Sequence, residues 1–173
     1  EVGCGTGQLS IFFSIGNNNR IYGLDPTLES LSLASKFIKE NNLQNVKLIN
    51  ADIFDDILND NVFDYIWCNG VLHHTKNAKG AFKILVKSLK KECLCLGICN
   101  VVASSLSHIT EGGVYLHVGP EIGVASTKAF TGQLSILYLL AIKLAQIKKI
   151  NEEKSRKICL DLQKVPNCYE RII

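Results

Sequence analysis

Glu1-Val2-Gly3-Cys4-Gly5-Thr6-Gly7 is the stretch that decides the fold. Alternate glycines let a backbone turn tightly out of a strand into a helix and let a ligand approach it closely. Two common glycine-rich loops are excluded. The pattern G-x-G-x-x-G needs a third glycine where Gln8 stands, and a P-loop needs a Gly-Lys-Ser/Thr that does not follow. What remains is an acidic residue followed by G-x-G-x-G at the start of a helix.

Working outward, short apolar runs alternate with amphipathic ones. Residues 21–24 read as a strand ending at Asp25-Pro26, and Thr27 is placed to cap a helix. In that helix Leu31, Ala34, Phe37 and Ile38 recur at helical spacing, and Asn41-Asn42 ends it. Strands are expected at 46–49 and 63–68, the latter closed by the turn Asn69-Gly70. A helix over 78–90 buries Ala81, Phe82, Leu85, Val86 and Leu89, and 94–102 is a further strand. Helices between successive strands imply α/β architecture with a doubly wound parallel sheet in three α/β/α layers. The expected strand order is 3-2-1-4-5. Only Glu1-Val2 represents the central strand, so lowered stability is expected there.

Beyond residue 97 the texture changes. A Ser/Thr/Gly-rich stretch over 103–113 leads to a short strand at 114–118, a candidate edge strand. The turn Gly119-Pro120 and a loop through Ser126 follow. A long apolar helix is expected over 127–148, from Thr127 to Lys148, and a last one over 152–164 that ends at Pro166.

Composition narrows the class. The 173 residues are 47% hydrophobic and 20% charged, which excludes a disordered tail and a coiled coil. With no Met and an opening in mid-motif, a fragment or a product of rearrangement is expected. The net charge of +3 lies after residue 97, because ten basic and ten acidic residues precede that point and nine and six follow it. So small a surplus, without interleaved aromatics, gives no nucleic-acid footprint. The seven cysteines are odd in number and follow no signal peptide, which points to a reducing, cytoplasmic setting. Cys93, Cys95 and Cys99 alternate onto one face as small hydrophobes, and no metal site is expected. The apolar stretch 134–144 is broken by Lys143 and reads as too short for a membrane span.

The opening motif and its downstream spacing resemble class I S-adenosylmethionine-dependent methyltransferases over residues 1–97. That resemblance implies S-adenosylmethionine as cofactor. It places Glu1, Gly3, Gly5 and Gly7 in the glycine loop against the cofactor, and Asp25 on the ribose hydroxyls. Asp52 would take the adenine amino group, and Ile53 would pack on the ring. Asn69, with Gly70-Val71-Leu72-His73-His74, would lie near the methionine end and the substrate. Read on its own, Asp25 fits a capping turn residue less well than a ribose contact, while Asp52, amid Asp55, Asp56 and Asp60, fits surface charge equally well. His73 and His74 fit a catalytic base less well than capping or packing, since neighbours at i,i+1 do not share a helix face. Trp67, in an expected strand, reads as core.

Residues 98–173 resemble part of the sugar isomerase domain of glutamine–fructose-6-phosphate aminotransferase. The similarity rests on Gly97-Ile98-Cys99-Asn100-Val101-Val102-Ala103-Ser104-Ser105-Leu106. It rests still more on Gly119-Pro120-Glu121-Ile122-Gly123-Val124-Ala125-Ser126-Thr127-Lys128-Ala129-Phe130-Thr131. The family's Gly-Ser-Ser appears as Ala103-Ser104-Ser105, and its Arg-Glu-Thr/Ser-Asp run as His108-Ile109-Thr110-Glu111. No catalytic residue carries over. The expected organisation is a methyltransferase-like part over 1–97 joined within one strand to the isomerase-like segment, both in one sheet. Three functions follow: a methyltransferase acting on a small-molecule ligand, a hexosamine-pathway fragment without activity, or a non-catalytic module forming a homodimer through helix 127–148.

Overall fold

A computed structural model describes residues 1–16, 18–120, 128–148 and 152–170. The chain divides into two compact units, Glu1–Cys95 with His108–Glu111, and Leu96–Ser107 with Gly112–Ile173.

In the first unit, β1 (Ile21–Asp25) and β2 (Val46–Asn50) pair in parallel, Ile21 opposite Val46 through Asp25 opposite Asn50. Helix α2 (Leu28–Glu40) joins them, and α1 (Gln8–Ser14) packs on β1. On the free side of β1, Val2 forms parallel bridges to Leu24 and to Cys68. The lateral order β2, β1, Val2, Cys68 reproduces the expected 3-2-1-4 sequence of strands. The fold is α/β with parallel strands, as the alternation of elements requires.

The helices follow their apolar spacing, with local departures. In α2, Leu31 and Ala34 are buried, but Phe37 is 45% exposed. Thr27 holds the cap position but makes no side-chain cap bond, and its N–H donates to the Asp25 carboxylate at 2.8 Å. Helix α3 (Ala78–Ser88) is capped by Asn77, whose side chain accepts from the Gly80 N–H at 2.9 Å. It buries Ala81, Leu85 and Ser88 and leaves Val86 exposed.

The expected strand at 63–68 is present only as isolated bridges, Phe63 to Leu89 and Cys68 to Val2. A strand persists where partners run beside it, and here Val2 supplies one residue of partner. The fifth strand is also relocated. Leu89 and Lys90 occupy the place beside Phe63, with the Lys90 N–H donating to the Phe63 carbonyl at 2.9 Å.

In the second unit, β3 (Leu96–Cys99) pairs in parallel with β4 (Gly112–Tyr115). These two form a sheet of their own, which differs from the single shared sheet expected. Asn100 ties the ends of that sheet: its side chain donates to the Gly119 carbonyl at 2.8 Å and accepts from the Val118 N–H at 3.2 Å. Helix α4 (Lys128–Ile147) and helix α5 (Glu152–Glu170) follow. Helix α5 runs on through Pro166 instead of stopping there, since proline's fixed φ is helical and only one backbone bond is lost. Of the isomerase-like signature, residues 121–127 lie outside the described residues. Helix α4 spans 20 residues with a mean hydropathy of 1.4 over its best window, so it is long and apolar enough to cross a membrane. The shorter stretch 134–144 understated it, because the helix extends to Lys128 and Ile147 with few charges added.

The core of the first unit centres on Val2, Leu24, Leu31, Ala34 and Leu85. Leu24→Ala is expected to lower unfolding free energy by about 2–5 kcal/mol in a urea titration. Leu94→Ala, at a side chain 65% exposed, should change it by less than about 0.5 kcal/mol.

Candidate functional site

The glycine loop is held by the neighbouring strand β1. The Gly3 and Cys4 N–H groups both donate to the Leu24 carbonyl, at 2.8 and 3.1 Å. Gly3, Gly5 and Gly7 all take left-handed φ values, of 68°, 51° and 70°. Such angles are open to glycine and costly for residues with a Cβ. Two of these glycines meet different surroundings. A Cβ on Gly3 would stand 2.3 Å from Val71 Cγ2, so close packing also demands glycine there. A Cβ on Gly5 would meet nothing within 4 Å, so the loop presents bare backbone to open space at that point.

Asp25, the last residue of β1, is 7% exposed and organises this loop. Its Oδ2 accepts from the Gly5 N–H at 2.8 Å, and its Oδ1 accepts from the Thr27 N–H at 2.8 Å. One carboxylate therefore pins the glycine loop to the entrance of α2. Its backbone carbonyl accepts from the Asn50 side chain at 3.1 Å, which also donates to the Pro26 carbonyl at 3.0 Å. Asn50 was not singled out in the sequence, because an Asn at a strand end is an ordinary turn residue.

Glu1, expected in the loop against a cofactor, is turned to the start of α1. Its Oε2 accepts from the Ser10 N–H at 2.9 Å and from the Ser10 hydroxyl at 2.6 Å. Gly7 precedes α1 without a side chain to cap it, so Glu1 supplies that cap from nine residues away. Ser10 is 1% exposed. Only the preceding acid could have marked it, as the partner of an otherwise uncapped helix.

The remaining expected residues follow the carboxyl ends of neighbouring strands. Asp52 is exposed just past β2, its Oδ1 accepting from the Phe54 N–H at 3.0 Å and its own N–H donating to Asp55 Oδ2 at 2.8 Å. Ile53 is buried at 6% exposure, so it belongs to the core first. Asn69 is exposed after Cys68, next to Gly70 at φ 70°. Asp52 follows β2, the glycine loop follows the Val2 bridge and Asn69 follows the Cys68 bridge, so the glycine loop lies between the other two in the lateral order. His73 and His74 are exposed, with ring centroids 4.0 Å apart. Partial burial, and then the neighbouring His74, push the His73 pKa down. Trp67 is half-buried, short of the core position expected for it.

Among the described residues, no group of three His, Cys, Asp or Glu side chains is placed to hold a metal ion. The six described cysteines are free thiols. Burial, and then the carboxylates of Glu1 and Asp25, push the Cys4 thiol up to about 11. Burial does the same for Cys68, also to about 11.

A family profile described as "Methyltransferase domain" matches residues 1–159. The chain belongs to that methyltransferase family. It is also similar to glutamine–fructose-6-phosphate aminotransferase (isomerizing) of Bacteroides thetaiotaomicron, with 47% identity over 78 residues. That match covers 44% of this chain and 13% of the relative. Together the two matches exceed the length of the chain, so they overlap. Among solved structures, the cyclase SpnF overlays with a TM-score of 0.49 at 27% identity, covering 51% of this chain and 33% of that one. A SAM-dependent methyltransferase from Aquifex aeolicus overlays at 0.47 and 23% identity, covering 51% and 48%. At these scores the likeness is too loose to assign a ligand. The methyltransferase profile takes in residues of both units, and the chain spans about an eighth of the aminotransferase it is similar to.

Asp25→Ala should destabilise the methyltransferase domain with no ligand present, by about 3 kcal/mol or more in a urea titration. Two charge-assisted bonds disappear, each worth about 1.5–3 kcal/mol, and two amides lose their acceptor. The thiols generate a pH dependence. The folded chain keeps protons on Cys4 and Cys68 that an unfolded chain gives up near pH 9, so stability falls as pH rises from about 9 towards 11. Melting curves across that range should show the fall, and Cys4→Ala should reduce it.

Proposed function

We propose that the first unit binds the adenosyl group of S-adenosylmethionine at the carboxyl ends of Val2, β1 and β2, and serves methyl transfer to a small molecule. The observation that carries this is Gly5: left-handed, fixed by Asp25, and bare toward open space. A crevice at the carboxyl ends of parallel strands, where the order reverses, is where open α/β sheets take ligands. When bound, the cofactor supplies a methyl group on a positively charged sulfur, ready for attack by a nucleophile.

The residues present fit that group. Each oxygen of Asp25 carries one hydrogen bond and keeps a lone pair for a ribose hydroxyl. Asp52, exposed beyond β2, is available to an exocyclic amino group, with Ile53 as the apolar wall beside it. Asn69 takes the methionine end. Glu1 acts by holding α1 through Ser10, which fixes where the loop ends. A reducing, cytoplasmic compartment is part of the proposal and rests on the free thiols. The aminotransferase activity named by the relatives is not proposed for a chain that spans 13% of them.

Self-association through α4 is a second reading. It is favoured by the exposed Phe130, Leu134 and Tyr138, which follow one another at four-residue spacing on that helix. Sedimentation equilibrium should then show a dimer that Tyr138→Glu dissociates, whereas a monomer at every concentration removes that reading.

Calorimetric titration with S-adenosylhomocysteine tests the cofactor site. One binding site is expected, weakened tenfold or more by Gly5→Val and about threefold to tenfold by Asp52→Ala. His74→Ala should leave binding unchanged. No heat of binding in the unsubstituted protein would overturn the proposal.

A further inference from the structure

Asn69-Gly70 is the one Asn-Gly pair in the sequence. Asparagine is thermolabile because the backbone nitrogen of the next residue can attack its side-chain amide. A Cβ on that next residue crowds the attack, and glycine has none. Every other asparagine of the chain precedes a residue that carries a Cβ.

The fold leaves this pair open to reaction. Asn69 and Gly70 are both exposed. Among the described residues, no hydrogen bond holds the Asn69 side chain and none takes the Gly70 N–H. Gly70 takes a φ of 70°, and a Cβ there would meet nothing within 4 Å, so the peptide has room to turn. Several other asparagines are occupied. The side chains of Asn41, Asn45, Asn50 and Asn100 donate to backbone carbonyls, and that of Asn77 accepts from the Gly80 N–H.

The pair also sits at a sensitive place. Cys68, just before it, bridges to Val2. Val71, just after it, lies on the glycine loop, since a Cβ on Gly3 would stand 2.3 Å from Val71 Cγ2. Leu72 is buried, and the His74 N–H donates to the Val71 carbonyl at 2.9 Å. Asn69-Gly70 is thus a short exposed link between two points that are both fixed against the segment of Val2 and Gly3.

We propose that Asn69-Gly70 is a self-modifying site, where loss of ammonia rebuilds the backbone and loosens the glycine loop. The Gly70 nitrogen gives up its proton and bonds to Asn69 Cγ. The bond from Cγ to the side-chain nitrogen breaks, and that nitrogen leaves with the proton as ammonia. The product is a succinimide ring, which water opens at one of its two carbonyls. Opening at Cγ leaves aspartate. Opening at the main-chain carbonyl leaves isoaspartate, in which the chain runs through Cβ and Cγ. Water is the only co-reactant, and nothing is oxidised or reduced. Isoaspartate lengthens the main chain by one carbon, about 1.5 Å, between the two fixed points. Val71 is thereby displaced from Gly3. Either product also replaces an amide that can donate with a carboxylate that only accepts. Where Asn69 meets the methionine end, as proposed above, both changes weaken the hold on the cofactor; that part rests on the methyltransferase reading.

The test holds the full chain at mildly alkaline pH, folded and in urea, and follows each asparagine by peptide mass mapping. Asn69 should convert first, and in the folded chain at no less than a tenth of its rate in urea. Asn69→Gln, whose amide would have to close a larger ring, should release at least tenfold less ammonia. Slower conversion of the folded chain, another asparagine leading, or equal ammonia from Asn69→Gln would overturn the site. The isoaspartate fraction, separated by chromatography, should exchange the Gly3 amide at least tenfold faster than the fresh chain. It should also bind S-adenosylhomocysteine at least threefold more weakly. Unchanged exchange at Gly3 would overturn the coupling to the loop. Mass and exchange are read without cofactor, so a fresh chain that binds no S-adenosylhomocysteine would count against the methyltransferase reading alone.

Discussion

The first unit depends on the Asp25 carboxylate. A loop with three left-handed glycines has many conformations open to it, and its shape must be imposed from outside. Asp25 imposes it with one oxygen on the Gly5 N–H and the other on the Thr27 N–H. The same group therefore ends β1, admits α2 and presents the bare backbone of Gly5. Glu1 plays the matching part on the far side, tying the entry of the loop to α1 through Ser10. Asp25 positions the loop and is also the residue proposed to meet the ribose, so effects of its substitution on binding must be separated from effects on folding.

Much of this was legible in the sequence because the signals are local. The glycine spacing, the strand ending at Asp25-Pro26 and the helix cadence of Leu31 and Ala34 each determine conformation within a few residues. What was not legible depends on partners. The 63–68 run has the apolar character of a strand, but without a neighbour along its length it forms only two bridges. The fifth position went to Leu89 and Lys90 because α3 ends at Ser88 and returns the chain beside Phe63 at once. Of the residues 94–102, Leu96–Cys99 then pair with β4.

Within the site, residue identity was easier to read than residue duty. Glu1 and Asp25 stood out as acids flanking glycines, yet their partners Ser10 and Thr27 became visible only in three dimensions. Thr27 is at the cap position, but its part in the loop is as an N–H donor to a carboxylate two residues back. The aminotransferase relative is a protein of which this chain spans about an eighth, while the methyltransferase profile runs over residues 1–159.

Hydrogen exchange resolved at single amides tests the central claim most directly. In the unsubstituted protein the Gly5, Thr27 and Ser10 amides should all be protected. In Asp25→Asn, protection at Gly5 and Thr27 should fall at least tenfold while Ser10, held by Glu1, keeps its own. Unchanged exchange at Gly5 and Thr27 would show that something other than Asp25 shapes the loop. Loss at all three amides together would show that the substitution unfolds the unit, leaving the tether without a separate role.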